Sequence, residues 1–110
     1  MPAIQFQLTG AAARTLTTAN LQLGPGRLKA VSVAIQSTNN SPADNFIRIL
    51  IEEQDIATPT WRHLILQGYI GTDSGTSWTG DYPLSNDAQI TAELMSNSLA
   101  TAIISITTEQ

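Results

Sequence analysis

Apolar and polar residues alternate with a period of two in several short stretches of the chain. Ile4, Phe6 and Leu8 alternate with glutamine and threonine. The same alternation recurs at 31–35, 47–51, 88–94 and 102–106. A period of two indicates strands with one buried face, whereas a helix needs apolar residues three and four apart. The best helical candidate, 11–19, is rich in threonine and has no apolar stripe, so strands dominate the prediction.

Turn-forming residues separate these stretches at fairly regular intervals. Gly24-Pro25-Gly26 is one such turn, and 39–45, 71–76 and 96–98 are others. The spacing predicts about eight short strands without a linker or repeat, so 1–110 is a single domain. We therefore predict an all-β fold, a single antiparallel β-sandwich of jelly-roll type. An immunoglobulin-like sandwich is the alternative, although the chain lacks a cysteine pair.

The composition excludes several function classes. The 110 residues include 42% apolar and 13% charged residues, 14 threonines, 9 serines, one histidine and no cysteine. Disulfides, thiolate metal sites and histidine clusters are therefore excluded. The net charge of −4 disfavours nucleic acid as a partner, because phosphate binding requires a concentrated positive field. We expect no enzymatic activity, no catalytic residue, no metal and no cofactor, because few ionisable groups are present.

Neither a targeting segment nor a membrane span is apparent. The first ten residues lack a basic region followed by an apolar stretch, so we expect no signal peptide. The longest apolar runs, at 49–51 and 64–66, are far shorter than the ~18 residues that a membrane helix needs. We therefore expect synthesis in a cytoplasm and no membrane partner.

The individual chemical candidates favour structural roles. His63 lies within a predicted strand and is expected to be a packed or surface histidine, because no nucleophile motif accompanies it. The acidic group at Glu52, Glu53 and Asp55 is expected to be a solvated strand end. The large aromatics with a polar group are expected mainly in the core, with stacking on sugar rings as the alternative: Trp61, Tyr69, Trp78 and Tyr82.

Several strands are apolar on both faces, which an antiparallel sandwich does not require, and in the last strand Ile103 is expected opposite Ile104 and Ile106. In one central strand, Phe46 and Leu50 share a face with Arg48, opposite three isoleucines. In the next, Leu64 and Leu66 are expected beside Arg62, and Trp61 and Ile65 beside His63. Irregular packing, loop cover or a bulge would explain the pattern. A second buried surface would also explain it, and that hypothesis predicts self-association or docking through Phe46, Arg48, Leu50 and Trp61.

The order of features along the chain carries a resemblance. An alternating strand leads to Leu23-Gly24-Pro25-Gly26-Arg27-Leu28, and Trp61-Arg62-His63-Leu64 runs into Gly68-Tyr69. The stretch from Ser77-Trp78-Thr79-Gly80 to Asp81-Tyr82-Pro83-Leu84 precedes a final isoleucine and threonine strand. This layout resembles the small single-domain β proteins of tailed bacteriophages, of the head decoration or head-fibre type. The resemblance implies a protein that binds the outside of a capsid, often as a trimer, and it assigns no individual residue.

We therefore expect a non-enzymatic structural virion protein, made in the host cytoplasm and located in the virion. It is expected to form a homotrimer and to stabilise or decorate the head by binding the phage major capsid protein. A carbohydrate-binding module or lectin-like domain is the first alternative, with a glycan as its ligand. A minor tail or neck component is the second.

Overall fold

A computed structural model describes residues 3–10, 16–37, 45–54, 60–70, 75–96 and 100–109. These residues form eight strands and no helix. The strands are β1 (Ala3–Gly10), β2 (Thr17–Gln22), β3 (Gly26–Ser37), β4 (Asn45–Gln54), β5 (Thr60–Ile70), β6 (Gly75–Leu84), β7 (Gln89–Ser96) and β8 (Ala100–Glu109). The last three residues of the weak helical candidate, 17–19, begin strand β2, and 11–15 lie outside the described residues. In the described ranges no helix could span a membrane.

The strands pair as nested antiparallel partners. β4 pairs with β5, β3 with β6, β2 with β7, and β1 with β8. Further pairing of β3 with β8 and of β4 with β7 joins them into two four-stranded sheets. The first sheet has the order β1-β8-β3-β6 and the second the order β2-β7-β4-β5. This is the jelly-roll sandwich that the sequence predicted, and the immunoglobulin-like alternative is not found.

The core lies between the two sheets and is almost entirely aliphatic. Ile47, Ile49 and Ile51 of β4 face it, as the alternation predicted, and each is at most 1% exposed. They meet inward-facing residues of the first sheet, including Val33 and Ile104. Full burial of such a side chain contributes about 1.5–3 kcal/mol, so this layer supplies most of the stabilisation. The isoleucines of the central strands therefore fix which face of each strand points outward.

A β-bulge in β5 changes the faces predicted for that strand. Leu66 lies opposite Ile49, and Leu64 lies opposite Leu50, so Ile65 is the extra residue. Leu66 consequently packs against the core, and the prediction that it shares a face with Arg62 and Leu64 is wrong. Beyond the bulge the pairing is regular, and Gly68 pairs in register with Ile47.

The β2–β3 and β6–β7 connections pack tightly at one end of the sandwich. The backbone N–H groups of Leu23 and Gly24 donate to the carbonyl of Ala88, at 3.0 and 3.2 Å. A Cβ on Gly24 would lie 1.6 Å from the carbonyl oxygen of Ser85. Only glycine therefore fits where the turn predicted at 24–26 meets the second loop.

Candidate functional site

The solvent-facing side of the sheet β2-β7-β4-β5 collects most of the residues singled out from the sequence. We call this side the outer face. Phe46, Arg48, Leu50 and Glu52 project from β4 because they alternate with the buried isoleucines. By register, their neighbours are Met95, Glu93, Thr91 and Gln89 on β7, and Tyr69, Gln67, Leu64 and Arg62 on β5. Each row therefore places three side chains next to one another across the central part of the sheet.

An ion pair joins the two central strands of the outer face. The Nε of Arg48 donates a hydrogen bond to the Oε1 of Glu93, which lies opposite it. The side chain of Glu93 is only 10% exposed, whereas that of Arg48 is 37% exposed. The hydrogen bond and charge of Glu93 raise the pKa of Arg48. Arg48 therefore supplies a fixed positive charge and satisfies a carboxylate that would otherwise be nearly buried without a partner.

A second polar cluster lies at the Glu52 row. The hydroxyl of Thr91 donates to the Oε1 of Glu52, and the Nε of Arg62 lies 3.3 Å from the Oε2. Both carboxylate oxygens are thus engaged, and the side chain of Glu52 is 17% exposed. The expectation of a wholly solvated strand end is therefore wrong for Glu52. These contacts hold the polar side chains of this row in a fixed arrangement.

Leu50 is already covered within its own chain. It points outward, as predicted, but it is only 6% exposed among Thr91, Leu64 and the flanking polar residues. A companion molecule is therefore not needed to bury it, and this premise of the docking hypothesis fails for Leu50. Leu64, which lies opposite it, is 44% exposed. The exposed apolar surface of this row is thus on β5.

The most accessible aromatic ring of the outer face is Tyr69. It is 59% exposed and pairs with Phe46 in register. The two ring centroids are 5.2 Å apart with an interplanar angle of 61°, an edge-to-face arrangement. Phe46 is half-buried, so one edge of the pair is anchored in the sheet while Tyr69 presents its ring to solvent. We call Phe46 and Tyr69 the aromatic pair.

Two further aromatic candidates, Trp78 and Tyr82, belong to β6 of the other sheet. Trp78 and Tyr82 are partly buried and pack against the core, as expected for two of the four. His63 stacks on Tyr82 with ring centroids 4.4 Å apart, which connects β5 to β6 across the open edge of the sandwich. Burial and the charge of Glu53 raise the pKa of Tyr82. His63 is exposed and stacks on Tyr82, which agrees with the packed or surface histidine expected from the sequence.

The predicted docking residues separate into two groups. Phe46, Arg48 and Leu50 lie together on the outer face of β4. Trp61 pairs with Glu53 near the far end of the same hairpin, and its side chain lies outside the described part of the structure. Sequence reasoning missed the prominence of Tyr69 and the burial of Glu93. Tyr69 was recognisable as outward-facing from its place between Gly68 and Ile70.

The described ranges contain no group of three histidine, aspartate or glutamate side chains suited to hold a metal ion. The polar groups of the outer face are arranged in pairs across strands, each cation next to a carboxylate. Such a surface can form hydrogen bonds and stack on a ligand, and it presents a face of defined shape.

No protein-family model and no curated protein sequence matches the chain. Several solved structures share its fold. The C-terminal family 22 carbohydrate-binding module of Clostridium thermocellum Xyn10B matches with a TM-score of 0.58 and 14% identity, over 89% of this chain and 69% of that module. The Yersinia pseudotuberculosis-derived mitogen gives a TM-score of 0.62 and 12% identity, over 96% of this chain and 85% of the mitogen.

A viral structure also has this fold. The structure of tomato aspermy virus matches with a TM-score of 0.51 and 8% identity, over 99% of this chain and 77% of the viral chain. A larger C. thermocellum protein with CBM22-1 and GH10 modules matches over 90% of this chain, which spans only 21% of that protein. At these identities the similarity establishes the β-sandwich fold, and the fold hosts unrelated functions.

Proposed function

We propose that this chain is a non-catalytic binding module and that the outer face binds a carbohydrate. The single observation that carries the proposal is the aromatic pair, in which Tyr69 is 59% exposed and braced by Phe46. An exposed tyrosine ring combines an apolar surface with a polar hydroxyl group. A sugar ring presents C–H groups on one face and hydroxyls at its rim, which matches that combination.

The polar groups next to the aromatic pair suit the rim of such a ligand. Gln67 is exposed two residues from Tyr69 on the same face, and it lies opposite Arg48. Because Arg48 is held by Glu93, its remaining N–H donors are oriented before a ligand arrives. Fixed polar groups around an apolar contact are the usual basis of small-ligand recognition. The similarity to carbohydrate-binding modules supports the proposal through the fold.

The proposal is tested by binding of the intact chain to xylohexaose and to an array of plant and bacterial polysaccharides. We expect Tyr69→Ala to weaken binding at least about tenfold, because it removes the stacking surface. Tyr69→Phe keeps the ring and should retain most of the affinity. Thr79→Ala, on an exposed part of the other sheet, is the matched control and should leave it unchanged.

Calorimetric titration measures each affinity, and thermal unfolding confirms that each variant is folded. The absence of any glycan hit for the intact chain contradicts the proposal. Equal binding by Tyr69→Ala and the intact chain would also contradict it, because the ligand would then contact another surface.

A second candidate is the structural virion role, with the chain docked on a phage major capsid protein, as a homotrimer. The observation that favours it is the exposure of both Leu64, at 44%, and Tyr69, at 59%, on one face. Exposed apolar residues on one face mark protein contacts as well as ligand sites. Phe46 and Arg48 would belong to the same contact, with Leu50 beneath it.

This candidate is tested by mixing the chain with empty heads and, separately, with isolated tails. Both particles are prepared from the phage whose genome encodes the chain. Cosedimentation with heads alone supports the capsid role, and cosedimentation with tails alone supports the tail or neck alternative. Leu64→Glu should reduce head binding, because it places a charge in the contact. Ser77→Glu, on the exposed edge strand of the other sheet, is the control. Failure to bind either particle contradicts the virion role.

A further inference from the structure

The two sheets have four edge strands, and three of them carry features that hinder pairing with another strand. β6 contains Pro83 and Asp81, β5 contains the bulge at Ile65, and β2 has only six residues. Prolines, charges, bulges and short length are the means by which edge strands avoid association. These three edges are therefore protected by sequence or by geometry.

The fourth edge, β1, has none of these features. It is eight residues long, from Ala3 to Gly10, and contains no proline and no charged residue. Its register with β8 is continuous over all eight pairs, without a bulge. Within the described residues β1 pairs only with β8, so its other side presents backbone N–H and C=O groups. This edge is a regular template for one more strand.

An apolar seam accompanies the free edge of β1. Ile4 and Phe6 pack against the core but remain half-buried, unlike the aliphatic residues of the central strands. Ala19 and Leu21 of β2, the edge strand of the other sheet, are also half-buried, and Leu16 just before it is 49% exposed. The core is thus incompletely covered on this side. A strand added to β1 would complete the sheet and shield part of the seam.

We propose that a second copy of this chain pairs with β1 in an antiparallel arrangement about a twofold axis at Phe6. This register places Ile4 opposite Leu8 of the partner subunit, and Gln5 opposite Gln7 of the partner subunit. Apolar residues then lie beside apolar residues on the side that faces the core, and glutamines lie beside glutamines on the solvent-facing side of the β1-β8-β3-β6 sheet. The pairing joins two four-stranded sheets into one continuous sheet of the dimer.

The sequence of β1 favours a second copy of the chain as the partner, rather than a strand of an unrelated protein. A twofold interface must be complementary to itself, and β1 meets this condition because its alternation is symmetric about Phe6. The absence of charge on β1 also matters, since the chain has a net charge of −4. Two copies can approach at this edge without like charges facing each other. The result is a dimer, in contrast to the trimer expected from the sequence resemblance.

Sedimentation equilibrium of the intact chain tests the proposal, and we expect a concentration-dependent monomer–dimer equilibrium. The double variant Gln5→Lys, Gln7→Lys places lysines opposite each other in the dimer. It should weaken dimerisation about tenfold or more, because like charges directly opposite are destabilising. Both glutamines are exposed, so the fold should be retained. Asn20→Lys, at an exposed position on the edge strand β2, is the matched control.

Cysteine pairing tests the register, because the chain contains no native cysteine. A mixture of Gln5→Cys and Gln7→Cys chains should form a disulfide-linked heterodimer under mild oxidation. Gln5→Cys alone should not, because its partner would lie on the diagonal, ~7–8 Å away and beyond disulfide reach. A chain that remains monomeric at every concentration overturns the proposal and leaves β1 to a strand of another protein. The proposal is also overturned if the double lysine variant dimerises as strongly as the intact chain. An equal yield of disulfide-linked dimer from Gln5→Cys alone overturns it as well.

Discussion

The two solvent-facing sides of the sandwich differ although the backbone of both is an antiparallel four-stranded sheet. The outer face carries two inter-strand ion pairs and the aromatic pair. The opposite side, on β1-β8-β3-β6, carries mainly small and uncharged residues at its centre, and we call it the small-residue face. Its central positions are Ala30, Ser32, Ala34, Thr101, Ile103, Ser105, Ser77 and Thr79. The charges described on that sheet gather near one end, where Asp81 contacts Arg27 and Lys29.

The difference shows that burial on the surface of one sheet depends on the size of neighbouring side chains. On the outer face, Thr91 is 3% and Glu93 8% exposed because long side chains of β4, including Leu50 and Arg48, lie beside them. On the small-residue face, Ser32 lies between Ser77 and Ser105, and Ala34 has Gly75 on one side, so both remain exposed. Long, paired side chains thus give the outer face a defined surface shape to which a ligand can bind.

The largest expected contrast lies within the outer face, between Leu50 and Leu64. Leu50→Ala should lower the free energy of unfolding by about 2–3 kcal/mol, because it removes a side chain that is only 6% exposed. Leu64→Ala, opposite it in register, should change stability by about 0.5 kcal/mol or less, since that residue is 44% exposed. Urea unfolding measures both values. Equal losses would show that burial on this face does not determine stability.

A smaller contrast compares the same substitution on the two faces. Thr91→Val should cost about 1 kcal/mol, because it removes the hydroxyl that donates to Glu52 in a nearly buried position. Thr101→Val, at an outward position of β8, should cost less than about 0.5 kcal/mol. Thermal unfolding of the two variants decides the comparison. A larger loss at Thr101 would contradict the assignment of ordered polar contacts to the outer face.

The smallest expected effect concerns the exposed ion pair at the end of the small-residue face. The hydrogen bond from Arg27, with the charges of Arg27 and Lys29, lowers the pKa of Asp81 below its ordinary value of 3.8. A carboxylate with a lowered folded-state pKa stabilises the fold above its unfolded pKa and loses that contribution as pH falls through the folded value. Asp81→Asn should therefore lower the melting temperature slightly near neutral pH, and the difference should vanish in strong acid.

Salt provides the control for that measurement. Because Asp81 is half-exposed, added salt should reduce the difference between Asp81→Asn and the intact chain at neutral pH. A difference that persists in both strong acid and high salt would show that Asp81 stabilises this end of β6 by another contact.

The alternation of apolar residues was sufficient to predict the sandwich and the facing of β4. Ile47, Ile49 and Ile51 lie inward and Phe46, Arg48 and Leu50 outward, because a strand with a period of two offers only two registers of burial. The bulge at Ile65 was not predictable, since Leu64, Ile65 and Leu66 are equally apolar. The bulge reverses which face of the sheet the residues of β5 on one side of Ile65 point to. The sequence contains no signal for the position of that reversal.

The candidate site was predictable in location and less so in detail. The run of outward apolar residues on β4 identified the correct sheet face. The cover over Leu50 depends on Thr91 and Leu64, which come from two other strands and whose register follows only from the fold. The pairing of Arg48 with Glu93 likewise joins residues that are distant in sequence. Their proximity could not be derived from local spacing.

The nested pairing of strands has a consequence for how the chain is made. β4 and β5 are consecutive and can pair as soon as both leave the ribosome. Ala3 of β1, in contrast, pairs with Thr107 of β8, which is translated much later. Closing such a distant pair carries a large loop entropy and slows folding. Until β8 has been translated, the backbone N–H and C=O groups on both edges of β1 have no strand to pair with. Among the described strands, β8 is thus translated last and is the one that pairs with β1, the first.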